Sequence, residues 1–285
     1  MKKGVKSAEI TIAVLVVASI LAFTLPNSKG SEEVKLLLTI STFLYGIFAG
    51  FIIASRMSRF TRFRDLLTNE TGFLISLYEY SKLAGEKFSK KIADIIDDYV
   101  VEGFLYEVYE YHRKTEASFY AIFDAIRDFN PVNENQREAI SQMRWIIRDM
   151  PKDREEMYLL EEDKISNLLG ITLILLSSVI LFCLFFLRVN TIYSDIITVI
   201  LPTSIILVLI LIRDLDQLKI SNYAIDYGIY FRLFDIIGKP KLYTSDAIEN
   251  GKLKFPEFGT YRYGIIQRTK KGIPSYKQIK TIRKK

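Results

Sequence analysis

Cysteine and histidine are almost missing from this chain, with one of each, Cys183 and His112, among 285 residues. That excludes a disulfide framework within one chain and a His/Cys metal site built from one copy. Cys183 falls inside an apolar run and is expected to be a small buried hydrophobe. His112 lies in a charged helical stretch and is expected at the surface. No nucleophile stands at a base-activated spacing, and there is no P-loop and no Gly-rich dinucleotide turn. The chain is therefore not expected to be an enzyme, nor to hold a cofactor or a metal.

Charge is missing too, in four places. The runs Ile10 to Ser28, Leu36 to Ala54, Ile165 to Leu187 and Ile196 to Ile212 carry no charged residue. Each is long enough, or nearly so, to cross the roughly 30 Å of bilayer hydrocarbon as a helix. A mean hydropathy of +0.16 averages these runs with a strongly polar remainder. The sequence predicts an all-α integral membrane protein with four transmembrane helices in a 2+2 arrangement. The expected segments are a first hairpin at 8–55, a cytoplasmic helical region at 56–164, a second hairpin at 165–213, a cytoplasmic helix at 214–238 and a basic tail at 239–285. A cleaved signal peptide is disfavoured for the first run, which lacks a small-x-small cleavage pattern and is soon followed by a second apolar segment.

Short-range basic residues set the expected orientation. Twelve of them (Lys2, Lys3, Lys6, Arg56, Arg59, Arg62, Arg64, Lys152, Arg154, Lys164, Arg213 and Lys219) flank one side of the runs, and only Lys29, Lys35 and Arg188 flank the other. The positive-inside asymmetry places both termini and the middle region in the cytoplasm of a multi-pass cell-membrane protein.

Between Arg56 and Ile165 apolar residues recur at helical intervals. Phe60, Phe63, Leu67, Leu74 and Leu77 continue the second run as one rod. Phe88, Ile92, Ile95, Tyr99 and Tyr106 mark a second helix, and Phe119, Ile122, Ile126 and Phe129 a third, which stops at Asn130-Pro131. Asn133 with Gln136 resembles a capping box for a helix whose apolar face is Ile140, Met143, Ile147 and Met150. Pro151 is then placed in the first turn of a separate helix. The spacing from Leu218 to Ile236 predicts a last helix ending at Gly238. In the tail, Asn250-Gly251 is a hairpin signal and Tyr261, Tyr263 and Ile265 alternate with Arg262 and Gly264, so a small β-hairpin is expected before a frayed Lys-rich end.

Charge separates the parts. Residues 56–165 hold 17 basic and 22 acidic residues, a net of −5, whereas 239–285 hold 13 basic and 3 acidic, a net of +10. The tail is expected on acidic helices of its own or a neighbouring chain, or on anionic lipid, with nucleic acid disfavoured for want of a binding motif.

In the second run Gly46 and Gly50 form a small-xxx-small pair, which lets helix backbones approach in lipid, where apolar side chains supply no driving force. Packing within the chain is favoured over pore lining for it. Ionisable groups are missing from the centres of all four runs, which argues against a carboxylate- or lysine-based ion relay. Glu70 falls at a d position of the seam from Phe60 to Leu77, where a buried carboxylate must be paired or protonated. It is a candidate pH-sensitive latch or register-fixing partner of an arginine, or it sits at the bundle margin. The cluster Glu155, Glu156, Glu161, Glu162 and Asp163 is expected to be a solvated face.

The stretch from Gly50-Phe51-Ile52-Ile53-Ala54-Ser55-Arg56 through Phe60, Arg64, Asn69, Glu70 and Leu77-Tyr78 resembles the uncharacterised bestrophin-like membrane proteins of prokaryotes, in layout over roughly residues 8 to 220. The chain departs from that pattern at Asp214-Leu215-Asp216-Gln217-Leu218, which lacks an expected Pro-Phe, and in its basic tail. The resemblance implies a homo-oligomeric ring, an anion-permeable channel and pore-lining second helices. On that reading Thr39, Phe43, Gly46 and Gly50, spaced by four, three and four, line the path, and Arg56 and Arg59 stand at its cytoplasmic mouth. The alternative is a membrane-anchored scaffold without transport.

Overall fold

The computed structural model describes residues 31–106, 110–189, 191–218, 223–249, 253–268 and 274–284. The first apolar run, and with it the fourth expected span and the 2+2 arrangement, lies outside them. The chain divides into two compact units, one from Met1–Phe60 with Lys164–Ile220 and the other from Thr61–Asp163 with Ser221–Lys285.

Three helices of the first unit or shared with it are long and apolar enough to cross a membrane: α1 (Glu32–Ala84), whose first part belongs to this unit, α6 (Asn167–Phe186) and α7 (Ile192–Asp216). Glu32 and Glu33 open α1 where acidic groups complement the helix dipole. Ser166 caps α6 by accepting from Leu169 N–H at 3.3 Å, and Thr191 caps α7 by accepting from Ser194 N–H at 3.3 Å. Arg188, between these two helices, pairs with Asp195 in the first turn of α7 at 3.0 Å. Pro202 sits inside α7 and removes one ladder donor there. Tyr45, Ala49 and Ile52 of α1 pack with Leu173, Ile180 and Leu184 of α6 and Ile212 of α7. Cys183 is fully buried in α6.

The second unit begins with the rest of α1, unbroken through the heptad seam to Ala84. Gly85, at φ 119, ends it in a conformation open to glycine. There follow α2 (Glu86–Gly103), the single turn α3 (Tyr111–Lys114), α4 (Glu116–Arg127), α5 (Glu134–Glu162) and α8 (Tyr223–Ile237). Phe63, Leu67, Leu74 and Leu77 are buried, as are Ile140, Met143, Ile147 and Met150. On α2 the buried stripe is Phe88, Ile92, Ile96 and Tyr99; Ile96 takes the place expected of Ile95, and Tyr106 lies beyond the helix. Asn133 accepts from Gln136 N–H at 2.9 Å, while the Gln136 side chain accepts from Val132 N–H rather than from Asn133.

Two further expectations fail here. Pro151 does not start a helix but lies inside α5, because the buried stripe from Ala139 through Met150 continues to Arg154 and Met157 on the same face. His112 is buried, not exposed.

After α8, Gly238 adopts φ 72 and Lys239 N–H donates to Phe234 carbonyl at 2.9 Å, a left-handed helix stop. The tail then forms a sheet in the order β1-β2-β3, from β1 (Lys241–Thr244), β2 (Gly259–Arg268) and β3 (Pro274–Lys284), with the short helix α9 (Ser245–Glu249) after β1. The hairpin is β2–β3, and β1 pairs with β2 in parallel; the turn expected at Asn250-Gly251 lies outside the described residues. The Lys-rich end is strand, not frayed. Gly264 lies beneath Tyr276, whose hydroxyl donates to Val101 carbonyl at 2.9 Å. The sheet docks on α2 by charge, with Arg262 bidentate on Asp97 at 2.7 Å and Lys239 on Asp94 at 2.5 Å. Of the expected sites for the basic tail, the acidic helix of its own chain is the one these residues occupy.

Candidate functional site

In the first unit α1 buries a stripe through Ser41, Tyr45, Ala49 and Ile52. At 100° per residue, Thr39, Phe43, Gly46 and Gly50 fall roughly 130° around the helix from that stripe. All four are exposed, Phe43 by 67%. A Cβ added to Gly46 or Gly50 meets no described atom within 4 Å. The expected packing of the glycine pair within the chain is therefore not seen among the described residues. The small residues leave a shallow strip, with Phe43 standing proud of it. The Thr39 hydroxyl donates to the Lys35 carbonyl at 3.0 Å, so the only polar side chain of the strip is satisfied by its own helix.

Arg56 and Arg59 occupy a different face. Both are buried, 9% and 5% exposed. Arg56 Nη1 lies 3.6 Å from Asp216 Oδ1, and Arg59 Nη1 donates to the Asp216 backbone carbonyl at 2.9 Å. The same carboxylate accepts from Ile165 N–H at 2.9 Å. Two guanidinium groups thus meet the last residue of α7, where unsatisfied carbonyls and the helix dipole favour cations. Their charge serves to tie α1, the entry to α6 and the end of α7 together. Asp216, the residue they share, was visible in the sequence only as a departure from an expected pattern.

The second unit contains a buried polar cluster. Glu70, 2% exposed, accepts from the Tyr99 hydroxyl at 2.5 Å and from Arg154 Nη1 at 3.2 Å. Arg154 Nη1 also donates to the Tyr99 oxygen, its Nη2 donates to the His112 carbonyl, and its guanidinium stacks 4.2 Å from the Phe119 ring centroid. Burial pushes the Glu70 carboxyl above its ordinary range, and the Arg154 charge and the Tyr99 bond pull part of that back. Burial and then the Glu70 charge drive Tyr99 well up. Burial first, then the charges of Arg154 and Arg113, hold His112 down to about 4, so it is neutral at pH 7. His112 Nε2 lies 3.7 Å from Glu161, and Arg113 pairs with Glu161 at 3.2 Å. Glu156 of the acidic cluster pairs with Arg62 at 2.5 Å. Glu70, Tyr99, His112 and Arg154 join α1, α2, α3 and α5.

Of the residues singled out from sequence, the structure groups Thr39, Phe43, Gly46 and Gly50 on one bare face, places Arg56 and Arg59 together on Asp216, and buries Glu70 among residues of three other helices. Sequence reasoning missed Arg154, although it interrupts the apolar stripe of α5 as Glu70 interrupts that of α1.

The Bestrophin-like domain model matches residues 10–218, and the chain belongs to that family. No curated protein and no solved structure matches it.

Proposed function

We propose that this member of the Bestrophin-like domain family is a multi-pass anion channel of the cell membrane, assembled from several copies around the bare face of α1. The family match over residues 10–218 carries the reading, since members of the family are in general anion channels. The exposed strip supports it: Thr39, Phe43, Gly46 and Gly50 are all exposed and repeat along one side of an apolar helix, and a Cβ added to either glycine meets no described atom within 4 Å. Copies arranged around an axis bring these strips together, and Phe43 then forms an apolar constriction that gates by dewetting. The cytoplasmic placement of both termini follows from the basic-residue asymmetry. Purified protein in planar bilayers is expected to pass chloride in preference to sodium, and Phe43→Ala to raise conductance or open probability.

A non-transporting membrane scaffold is the second reading. What favours it is the burial of Arg56 and Arg59 on Asp216, which leaves the proposed path without a charged mouth from those residues. Silent bilayers containing inserted, assembled protein over a range of pH and calcium would sink the channel in favour of the scaffold.

A further inference from the structure

Pairing places the start of β2 beside the end of β3, with Gly259 opposite Lys284 and Thr260 opposite Arg283. The loop feeding β2 brings two aromatic rings to this open end of the hairpin. They are held differently. Phe255 packs its ring against Tyr261 and Tyr263, at centroid distances of 5.8 and 5.4 Å. Phe258 is 74% exposed and makes no ring contact among the described residues. Lys254 in the same loop and Arg283, opposite Thr260 on β3, are exposed, as is one acidic residue, Glu257. Further along β3, Lys277 and Lys280 are exposed and the strand carries no acidic residue. Lys239 and Arg262, by contrast, are engaged with α2.

We infer that the open end of the β2–β3 hairpin is a contact for anionic phospholipid, with Phe258 as the inserting ring and Lys254 and Arg283 as the headgroup-binding charges. The reading is independent of whether the protein conducts. A strongly exposed ring in a loop that also carries an exposed lysine suits the bilayer interface, where apolar rings enter and basic residues meet anionic headgroups. It suits a second copy poorly, because apposed β3 edges would set Lys277, Lys280 and Arg283 against like charges. The chain also carries three helices long and apolar enough to cross a membrane. Glu257 opposes the contact, which supplies a variant expected to strengthen it.

The test is hydrogen exchange of the full chain in nanodiscs, read over residues 253–260 and 277–284. Exchange should be slower in phosphatidylglycerol-containing discs than in phosphatidylcholine discs, and the difference should shrink in high salt. Arg283→Gln should weaken the protected state roughly fivefold, the effect of one basic residue near a charged surface. Phe258→Ser should abolish the protection and Glu257→Gln should increase it, while exchange in the centre of the β2–β3 ladder stays unchanged as the control for folding. Equal exchange in the two lipids would overturn the inference. So would protection in detergent that grows with protein concentration, which would assign the tip to a contact between copies.

Discussion

Glu70 and Arg154 each stand where the packing pattern of their helix asks for an apolar side chain, and each is the other's partner at 3.2 Å. A buried ion pair of this kind gives little net stability against an apolar pair of similar volume, but removing one member leaves an uncompensated buried charge. Arg154→Met alone should therefore destabilise the protein by about 3–5 kcal/mol, and Glu70→Leu by a comparable amount. The triple variant Glu70→Leu, Tyr99→Phe, Arg154→Met should recover most of the loss, because no polar group of the three is then left unsatisfied. Thermal unfolding of each variant in detergent measures this, and single variants within about 1 kcal/mol of wild type would show that the pair is not buried in solution. Glu70 was legible because the heptad seam made it conspicuous. Arg154 was not, since reading Pro151 as a helix start cut the stripe that makes Arg154 an interruption. His112 was misread for a related reason: a histidine in a charged segment gives no sign that a tertiary neighbour, here Arg154 bonded to its carbonyl, will bury it.

Elements with a long apolar period were readable as sequence, and those defined by pairing were not. The length of α1, the stop at Asn130-Pro131 and the cap at Asn133 follow from spacing and local bonds. Pro151 costs α5 a backbone bond, yet a buried stripe on both sides of it keeps one helix intact; tertiary packing outweighs the local preference. In the tail, strand alternation located β2, but which strand it joins depends on contacts far along the chain. β1, the strand before the Asn-Gly signal, pairs with β2 in parallel and is not a hairpin arm, while the signal itself lies outside the described residues. Gly264 shows what the sheet requires at one position. A Cβ there would lie 2.7 Å from Tyr276 Cε1, and the Tyr276 ring is tethered by its bond to Val101 carbonyl. Gly264→Ala should cost about 1–3 kcal/mol through overpacking and free the β3 edge. Hydrogen exchange in β3 measures the effect, and unchanged protection there would mean that the ring moves aside without loss.

Over the whole molecule, sequence alone fixes the identity of apolar segments better than their neighbours. Orientation rests on basic residues outside the hydrocarbon. Single cysteines at positions 90 and 280 in a Cys183→Ser background should resist an impermeant reagent in intact cells and react after lysis; labelling of either from outside would reverse the topology. The proposed assembly uses the strip in α1 that is exposed among the described residues. The 10–28 run, another copy or lipid can lie against it, and substitution separates the three. Gly46→Leu and Gly50→Leu add bulk where no described atom lies within 4 Å, so the α1–α6–α7 packing itself has room for them. If another copy lies against the strip, close backbone approach is lost and the oligomer should dissociate, at an expense of roughly 1–3 kcal/mol per overfilled contact, with thermal stability of the monomer retained. Size distribution in detergent and nanodiscs reads the first quantity and thermal unfolding the second. Loss of thermal stability without loss of size would place the 10–28 run on the strip, and wild-type values of both would leave the strip facing lipid and remove α1 from any conduction path.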